Sequence, residues 1–136
     1  MHPAVPPPTI VSRLIRWAAR QAASLSPAGF GTRGTPGAVV RTEWKTSDVW
    51  LRRRFTLPRA PNAAIHFLVH HDEDVEIYVN GVLAAQAGGY TTAYELLPMN
   101  AAGRAALRAG ENVLAVHCKQ TTGGQYVDVG LVAEKE

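Results

Sequence analysis

A chain of 136 residues, 46% hydrophobic and 18% charged, has the size and composition of one globular domain, which excludes an intrinsically disordered protein. Its single cysteine, Cys118, excludes an intramolecular disulfide and any metal site made of several cysteines. The formal charge of +3 originates in the N-terminal segment, because residues 43–136 carry nine Lys and Arg against eleven Asp and Glu. We therefore expect no nucleic acid as a partner.

Residues 1–28 form a basic segment rich in proline, alanine and arginine. Four prolines between positions 3 and 8 exclude a helix at the start, whereas residues 10–23 place apolar side chains at helical spacing. We predict a short basic helix that rests on the domain outside its core; the alternative is a membrane-surface or transit helix. Arg13, Arg16 and Arg20 interrupt any signal-peptide core and no apolar run is long enough to cross a bilayer, so we expect neither a signal peptide nor a membrane span.

A loop rich in glycine and proline at residues 26–37 marks a boundary, and the domain itself is predicted over residues 29–136. From Val49 onward the hydrophobic period is two, which predicts strands. The first of these has an apolar face with Arg53 as its exception, and a polar face. The apolar face holds Val49, Leu51, Phe55 and Leu57, and the polar face holds Trp50, Arg52, Arg54 and Thr56. Further strands are predicted over residues 64–69, 75–79, 82–85, 94–97, 112–119 and 126–132.

Two local signals connect these strands. The pair Asn80-Gly81 predicts a two-residue type I′ hairpin turn, because both residues tolerate a positive φ. Asn100 is expected to cap a helical turn over residues 101–107, which Gly110 ends in the left-handed conformation. Many short strands with turns between them and one helical turn predict an all-β sandwich or barrel.

Several motifs follow one another in an order and spacing typical of a known family. They are Val49-Trp50-Leu51-Arg52-Arg53 with Phe55, Glu76-Ile77-Tyr78-Val79-Asn80-Gly81, Gly89-Tyr90-Thr91, and Leu107 with Gly110-Glu111-Asn112-Val113-Leu114-Ala115-Val116. They cover most of residues 44–116 and resemble the jelly-roll, galactose-binding-like domain that precedes the catalytic barrel in glycoside hydrolase family 2. A variant of that domain in large bacterial glycosidase-like and glutaminase-like proteins is resembled by Gly29-Phe30-Gly31, Thr35-Pro36-Gly37, His71-Asp72-Glu73-Asp74 and residues 121–130. The resemblance implies an antiparallel jelly-roll β-sandwich and an extracytoplasmic or periplasmic location.

The family pattern departs from this chain at the N-terminus. Members usually begin with a strand and a stretch rich in Trp and Asp, whereas residues 1–25 here contain no acidic residue. We therefore expect a fragment or truncated form of a larger enzyme, with an exposed sheet edge where a strand is missing.

Carboxylates cluster between residues 72 and 76. Asp72, Glu73 and Asp74 are weak candidates for a structural calcium site, since a hard cation needs several oxygen ligands, although Glu76 already lies in the next strand. A solvated acidic turn is the preferred interpretation, so we expect no cofactor, with structural calcium as the alternative. The same groups are too crowded to act as the acid and base of glycoside hydrolysis, which must lie on either side of the sugar.

Histidines suggest two further kinds of chemistry. His70, His71 and His117 could bind zinc together with Asp72, but adjacent strand residues face opposite ways, and we expect histidines at a sheet edge. Cys118 beside His117 resembles a nucleophile with its base, but the thiol falls on the apolar face of its strand. We predict a buried, unreactive thiol and no catalytic residue.

Sugar recognition combines an aromatic ring against the apolar face of a pyranose with amides and carboxylates for the hydroxyl groups. The candidates are residues in or beside the predicted loops: Tyr90, Tyr126, Gln125, Asp72 and Asp74.

These observations favour a non-catalytic carbohydrate-binding or accessory domain of a glycoside-hydrolase-type protein. Its expected partners are a carbohydrate and a catalytic glycosidase-type domain. The alternative is a structural domain that docks on a catalytic domain and has no ligand of its own. In that case Tyr126 and Trp50 pack in the sandwich or against the catalytic domain.

Overall fold

The computed structural model describes residues 9–10, 29–61 and 64–133. Within these residues ten strands and one helix are formed, and their bounds are as follows. The strands are β1 (Thr9–Ile10), β2 (Gly29–Gly31), β3 (Val40–Glu43), β4 (Asp48–Leu57), β5 (Ile65–Asp72), β6 (Asp74–Val79), β7 (Val82–Ala87), β8 (Glu95–Pro98), β9 (Gly110–Lys119) and β10 (Tyr126–Ala133), and the helix is α1 (Ala101–Ala106).

The strands form two sheets that pack face to face. One has the order β3-β2-β10-β5-β8, with β1 also paired to β10, and the other has the order β4-β9-β6-β7. Strand pairs are antiparallel apart from β2 and β3, which run parallel. The predicted all-β sandwich is confirmed.

The core lies between the sheets because alternate side chains of each strand point inward. It includes Phe55, Leu57, Ile65, Phe67, Val69, Val75, Ile77, Val79, Leu114, Val116, Val127, Val129 and Leu131. Full burial of one such side chain stabilises the fold by about 1.5–3 kcal/mol, so the stack of sheets is held mainly by this layer. The predicted faces of β4 are also confirmed, since Val49 and Leu51 pack against the core and Trp50 points away from it.

The hairpin turn between β6 and β7 forms at Asn80 and Gly81, with φ values of 49° and 83° as a type I′ turn requires. The side chain of Asn80 also accepts a hydrogen bond from Val113 N at 2.7 Å and donates to Ala106 O at 2.7 Å and to Asn112 Oδ1 at 2.9 Å. The turn is thereby tied to α1 and β9 as well as to its own strands.

The helix begins as predicted, since Asn100 Oδ1 accepts a hydrogen bond from Gly103 N at 2.7 Å. Its end differs from the prediction. Leu107 is already extended, and Gly110, with a φ of 89°, is the first residue of β9 instead of the helix cap. The buried side chain of Leu107 draws the chain into the core one residue after the helix. In the described part of the chain, no helix is long and apolar enough to cross a membrane.

Two residues of the N-terminal segment form strand β1 of the six-stranded sheet. Thr9 and Ile10 pair with Ala133 and Val132 of β10, so Ile10 belongs to a strand and not to the start of the predicted helix. The rest of that helix, residues 11–23, lies outside the described residues.

The Gly29-Phe30-Gly31 motif is strand β2, and its glycines permit a close approach to β10. A Cβ atom on Gly29 would lie 2.4 Å from Cζ of Tyr126, and one on Gly31 would lie 2.2 Å from the carbonyl oxygen of Gln125. Both distances are far below van der Waals contact. Strand β2 therefore pairs with β10 only because these two residues lack side chains.

We predict that Gly31→Ala lowers the free energy of unfolding by about 1–3 kcal/mol, because the new methyl group pushes the backbone of Gln125 away. Urea denaturation measures the loss. Gly88→Ala is the matched control, since its Cβ would meet only Asp74 Oδ1, at 3.7 Å. The control should stay within about 0.5 kcal/mol of the wild type. Equal stability of the two variants would contradict the close approach of β2 to β10.

Candidate functional site

The outward-facing side chains of β4, β9 and β6 form a polar and aromatic surface, called here the outer face. The strand register sets them in three rows, each with one residue from β4, one from β9 and one from β6. The rows are Asp48, Lys119 and Asp74; Trp50, His117 and Glu76; and Arg52, Ala115 and Tyr78. Because each strand alternates, the apolar neighbours of these residues lie in the core.

Trp50 is the most prominent side chain of the outer face. The residue is 60% exposed, whereas Phe55, Ile77 and Leu114 on the inner side of the same sheet are almost fully buried. The indole stacks on the ring of His117, with centroids 4.2 Å apart and planes inclined by 9°. Tyr78, which belongs to the neighbouring row, has its ring centroid 6.0 Å from that of Trp50. The stack fixes the orientation of an exposed aromatic ring.

His117 is held by two carboxylates. Its Nδ1 lies 2.9 Å from Glu76 Oε1 and its Nε2 lies 2.7 Å from Asp48 Oδ1, so both ring nitrogens donate when the imidazole is protonated. Desolvation lowers the pKa of His117, but the hydrogen bonds to Glu76 and then Asp48, with their charges, outweigh it and leave the pKa raised. The pKa of Asp48 is lowered, chiefly by its hydrogen bond to His117. The residue beneath Trp50 therefore favours the imidazolium form.

Two depressions lie next to each other on the outer face. The first, called the arginine depression, has a volume of about 490 Å³ and is lined by Trp50, Arg52, Tyr78, Arg108, Ala115 and the Asn80-Gly81 turn. The second, called the mixed-charge depression, has a volume of about 460 Å³ and is lined by Asp74, Glu76, Gln86, His117 and Lys119. Both volumes fall within the range of about 300–1,000 Å³ found for small-molecule sites.

Three of the five residues predicted to contact sugar are buried. Tyr126 has no exposed surface and its hydroxyl donates to Val39 O at 3.0 Å. Gln125 is 5% exposed and donates from Nε2 to Thr46 O at 3.0 Å. Asp72 is also buried, and this burial, followed by the charge of Glu73, raises its pKa. Tyr126 begins β10 and Asp72 ends β5, and these two side chains and the amide of Gln125 are used within the sandwich.

The other two predicted residues are exposed and belong to different segments of the chain: Asp74 begins β6, and Tyr90 lies in the loop after β7. Asp74 lines the mixed-charge depression, where its Oδ1 accepts a hydrogen bond from Gly89 N at 2.8 Å. Tyr90 is 65% exposed and bridges to Asp72, at the end of β5 in the other sheet. Only Asp74 is thus part of the surface that contains Trp50.

Two of the three candidate calcium ligands, Glu73 and Asp74, accept hydrogen bonds from protein donors. One carboxylate oxygen of Glu73 accepts hydrogen bonds from Thr121 and from Thr122 N, which lowers the pKa of Glu73. Within the residues that the structure describes, no three His, Cys, Asp or Glu side chains are grouped to hold a metal ion.

His70 and His71 are buried at the end of β5, beyond the residues 66–69 that pair with β8. There the side of β5 away from β10 is covered by Thr91, whose N donates to His71 O at 2.7 Å. His71 Nδ1 donates to Glu73 O at 2.6 Å. Cys118 is fully buried, as predicted, and burial raises the pKa of its thiol to about 12. A thiol in that state is a poor nucleophile.

A second polar cluster lies on the outward side of β5 and β10. The ring of His70 packs on Tyr126 with centroids 4.6 Å apart, and the Tyr94 hydroxyl donates to the Asp128 carboxylate. Burial is the main cause that lowers the pKa of His70 and raises that of Tyr94. His70, Tyr126 and Asp128 have no exposed surface. This cluster therefore holds loops against the six-stranded sheet, and its three fully buried side chains are inaccessible to a ligand.

The missed residues were visible in the alternation of the strands. Trp50, Tyr78 and His117 each occupy a polar-face position in a strand whose other face is apolar. The alternation places each of them outside the core, but only the strand register shows that they meet.

Comparison of the sequence with protein-family models and with curated proteins finds no match. The fold thus defines the chain as an all-β sandwich, and the resemblance to the accessory domains of glycosidases stays a prediction.

We predict that the contribution of His117 to stability is fully present below pH 6.5, the ordinary histidine pKa, and is lost as the pH rises through its higher pKa in the folded protein. The free energy of unfolding of the wild type should exceed that of His117→Gln by about 0.5–1 kcal/mol in mildly acidic solution, and the difference should shrink above neutral pH. Urea denaturation across this pH range measures the difference.

The lowered pKa of buried His70 acts in the opposite direction, since it destabilises the fold as the pH falls. It affects the wild type and His117→Gln equally, so it cancels in the difference between their free energies of unfolding. An NMR titration of the His117 ring gives its pKa directly. A value at or below 6.5 would show that the two carboxylates do not stabilise the imidazolium.

Proposed function

We propose that the chain is a non-catalytic carbohydrate-binding module, an accessory domain of a glycoside-hydrolase-type protein, and that its ligand lies on the outer face of the four-stranded sheet. The observation that carries this proposal is the exposed indole of Trp50, stacked on His117 between two depressions. The resemblance of the sequence to jelly-roll accessory domains supports the same class of function.

An exposed tryptophan offers a ligand or partner a large and rigid apolar surface. The C–H groups on one side of a pyranose ring form an apolar surface that fits an indole, and the aromatic contact adds favourable energy to the area buried. Because His117 already restricts Trp50, little conformational entropy is lost when a sugar stacks on it. The stacked pair of Trp50 and His117, called here the platform, is therefore pre-organised for a flat, partly apolar ligand.

Polar groups beside the platform suit sugar hydroxyls. Gln86 offers an amide, Asp74 and Glu76 offer carboxylate acceptors, and Lys119 offers an ammonium donor, all lining the mixed-charge depression. Such groups fix the orientation of a ring that the indole alone would bind in several ways.

The carboxylates nearest to Trp50 are poorly suited to glycoside hydrolysis. A general acid for this reaction needs a raised pKa, whereas that of Asp48 is lowered by His117. Glu76 is hydrogen-bonded to the same imidazole. These contacts support a binding role without bond cleavage.

We predict that Trp50→Ala weakens binding of neutral oligosaccharides at least about tenfold, because it removes the stacking surface, and that Trp50→Phe weakens it less. Isothermal titration with a panel of plant and bacterial oligosaccharides measures the affinities. Leu96→Ala is the matched control, since Leu96 is another exposed apolar residue but lies in β8 of the other sheet. Its affinities should equal those of the wild type.

Two results would overturn the proposal. Loss of binding in Tyr90→Ala with full binding in Trp50→Ala would move the site to the loop after β7. Absence of binding to every sugar in the panel would favour the alternative function, a structural domain without a ligand that docks on a catalytic domain through the outer face.

A further inference from the structure

The arginine depression has a floor of small or apolar residues and walls of aromatic and cationic ones. Ala115 lies between Arg52 and Tyr78 in the third row, and its short side chain creates the space. Trp50 and Tyr78 border one side, and Arg108 approaches from the loop before β9. A ring stacked on Trp50 would therefore extend one edge toward guanidinium groups.

Arg52 and Arg108 bring two positive charges to the depression, and the carboxylate beside it, that of Glu76, lies in the neighbouring row and interacts with Tyr78 and His117. Within the described residues, neither guanidinium forms a salt bridge, and no Asp or Glu lines the depression. The backbone of Arg108 is fixed, since its N donates to Asn112 Oδ1 at 3.0 Å and its O accepts from Asn112 Nδ2 at 2.9 Å. Its Nε donates to Glu111 O at 3.1 Å, which holds the guanidinium at the lining of the depression.

The neighbouring mixed-charge depression has no such surplus. There the cationic groups Lys119 and His117 lie beside Asp74 and Glu76, and Asp48 binds His117 from the other side. Positive charge is in excess at one end of the outer face only.

We propose that the arginine depression binds the anionic group of an acidic sugar, and that the module prefers glycans in which an acidic residue adjoins a neutral one. This inference rests on the proposed function. A planar carboxylate matches the paired donors of a guanidinium, and the pyranose ring that bears it stacks on Trp50. A neutral neighbour then occupies the mixed-charge depression. A polyanion such as a homopolymer of uronic acids, or RNA, gains nothing there, because its second anion meets Asp74 and Glu76.

The test uses the whole chain and two matched pairs of ligands. One pair is xylotetraose with and without a single glucuronic acid substituent, and the other is cellobiouronic acid and cellobiose. We expect the acidic member of each pair to bind about tenfold more tightly in low salt, and this ratio to fall as salt screens the charges. The combined variant Arg52→Gln with Arg108→Gln should bind both members equally, at the affinity of the wild type for the neutral one.

Arg54→Gln is the matched control, because Arg54 is the next outward residue of β4 and does not line the depression. It should keep the full preference. Arg52→Lys with Arg108→Lys should keep part of it, since the charge remains and the planar pair of donors is lost. Thermal unfolding of each variant establishes that it is folded.

Equal affinity of the wild type for acidic and neutral ligands, or a preference that persists in the double Gln variant, would overturn the inference and leave the proposed function intact. Failure of these four ligands and of every sugar in the panel to bind would instead remove both. Binding of a sulfated xylotetraose as tight as that of the glucuronic acid ligand would indicate general anion binding and contradict recognition of a carboxylate. Tighter binding of tri-galacturonate or single-stranded RNA than of the mixed glycan would also contradict the inference.

Discussion

The hydrogen bonds made by the side chains of Asn80 and Asn112, one of them to each other, join three parts of the chain that the sequence keeps apart: the hairpin turn, the end of α1 and the start of β9. Asn112 is fully buried and uses both its oxygen and its nitrogen, so neither an acidic nor an apolar side chain can replace it. Once this junction forms, the turn and β9 can pair in one register only. That register places His117 between Trp50 and Glu76, and it fixes the backbone of Arg108 at the rim of the same surface. Fold and outer face therefore depend on one pair of amides.

The sequence predicts those strands whose two faces meet different surroundings. In β4, β6 and β9 one side is core and the other is solvent, so apolar and polar residues alternate and the strands follow the prediction closely. The alternation fails in β5, which extends through His70, His71 and Asp72 beyond its predicted end. Loops cover its outer side there, so both faces are buried and no polar face remains to reveal the strand. β3 was missed for the converse reason, since it is largely exposed and lacks an apolar face.

The candidate site was only partly predictable because it depends on pairing between distant strands. Loops with aromatic and polar residues are the usual place for a binding site, and this favoured Tyr126 and Gln125. Both are instead drawn inward by glycines that let β2 approach β10, a steric relation between residues about a hundred positions apart. Conversely, the outward position of Trp50 follows from the alternation, whereas its contact with His117 depends on the register of β4 against β9. Local pattern thus gives the face of a residue, and long-range pairing gives its neighbours.

The burial of Cys118 provides the chain with a natural reporter of the opening of its core. The chain has a single sulfhydryl, it lies between the sheets with no exposed surface, and its ionisation is suppressed by burial. A thiol-reactive reagent can modify it only when β9 separates from its neighbours, so the rate of modification counts opening events of the core. Bulk unfolding methods average over the whole chain. This side chain instead reads the opening of the sheet that carries Trp50, at one defined position and with no engineered label.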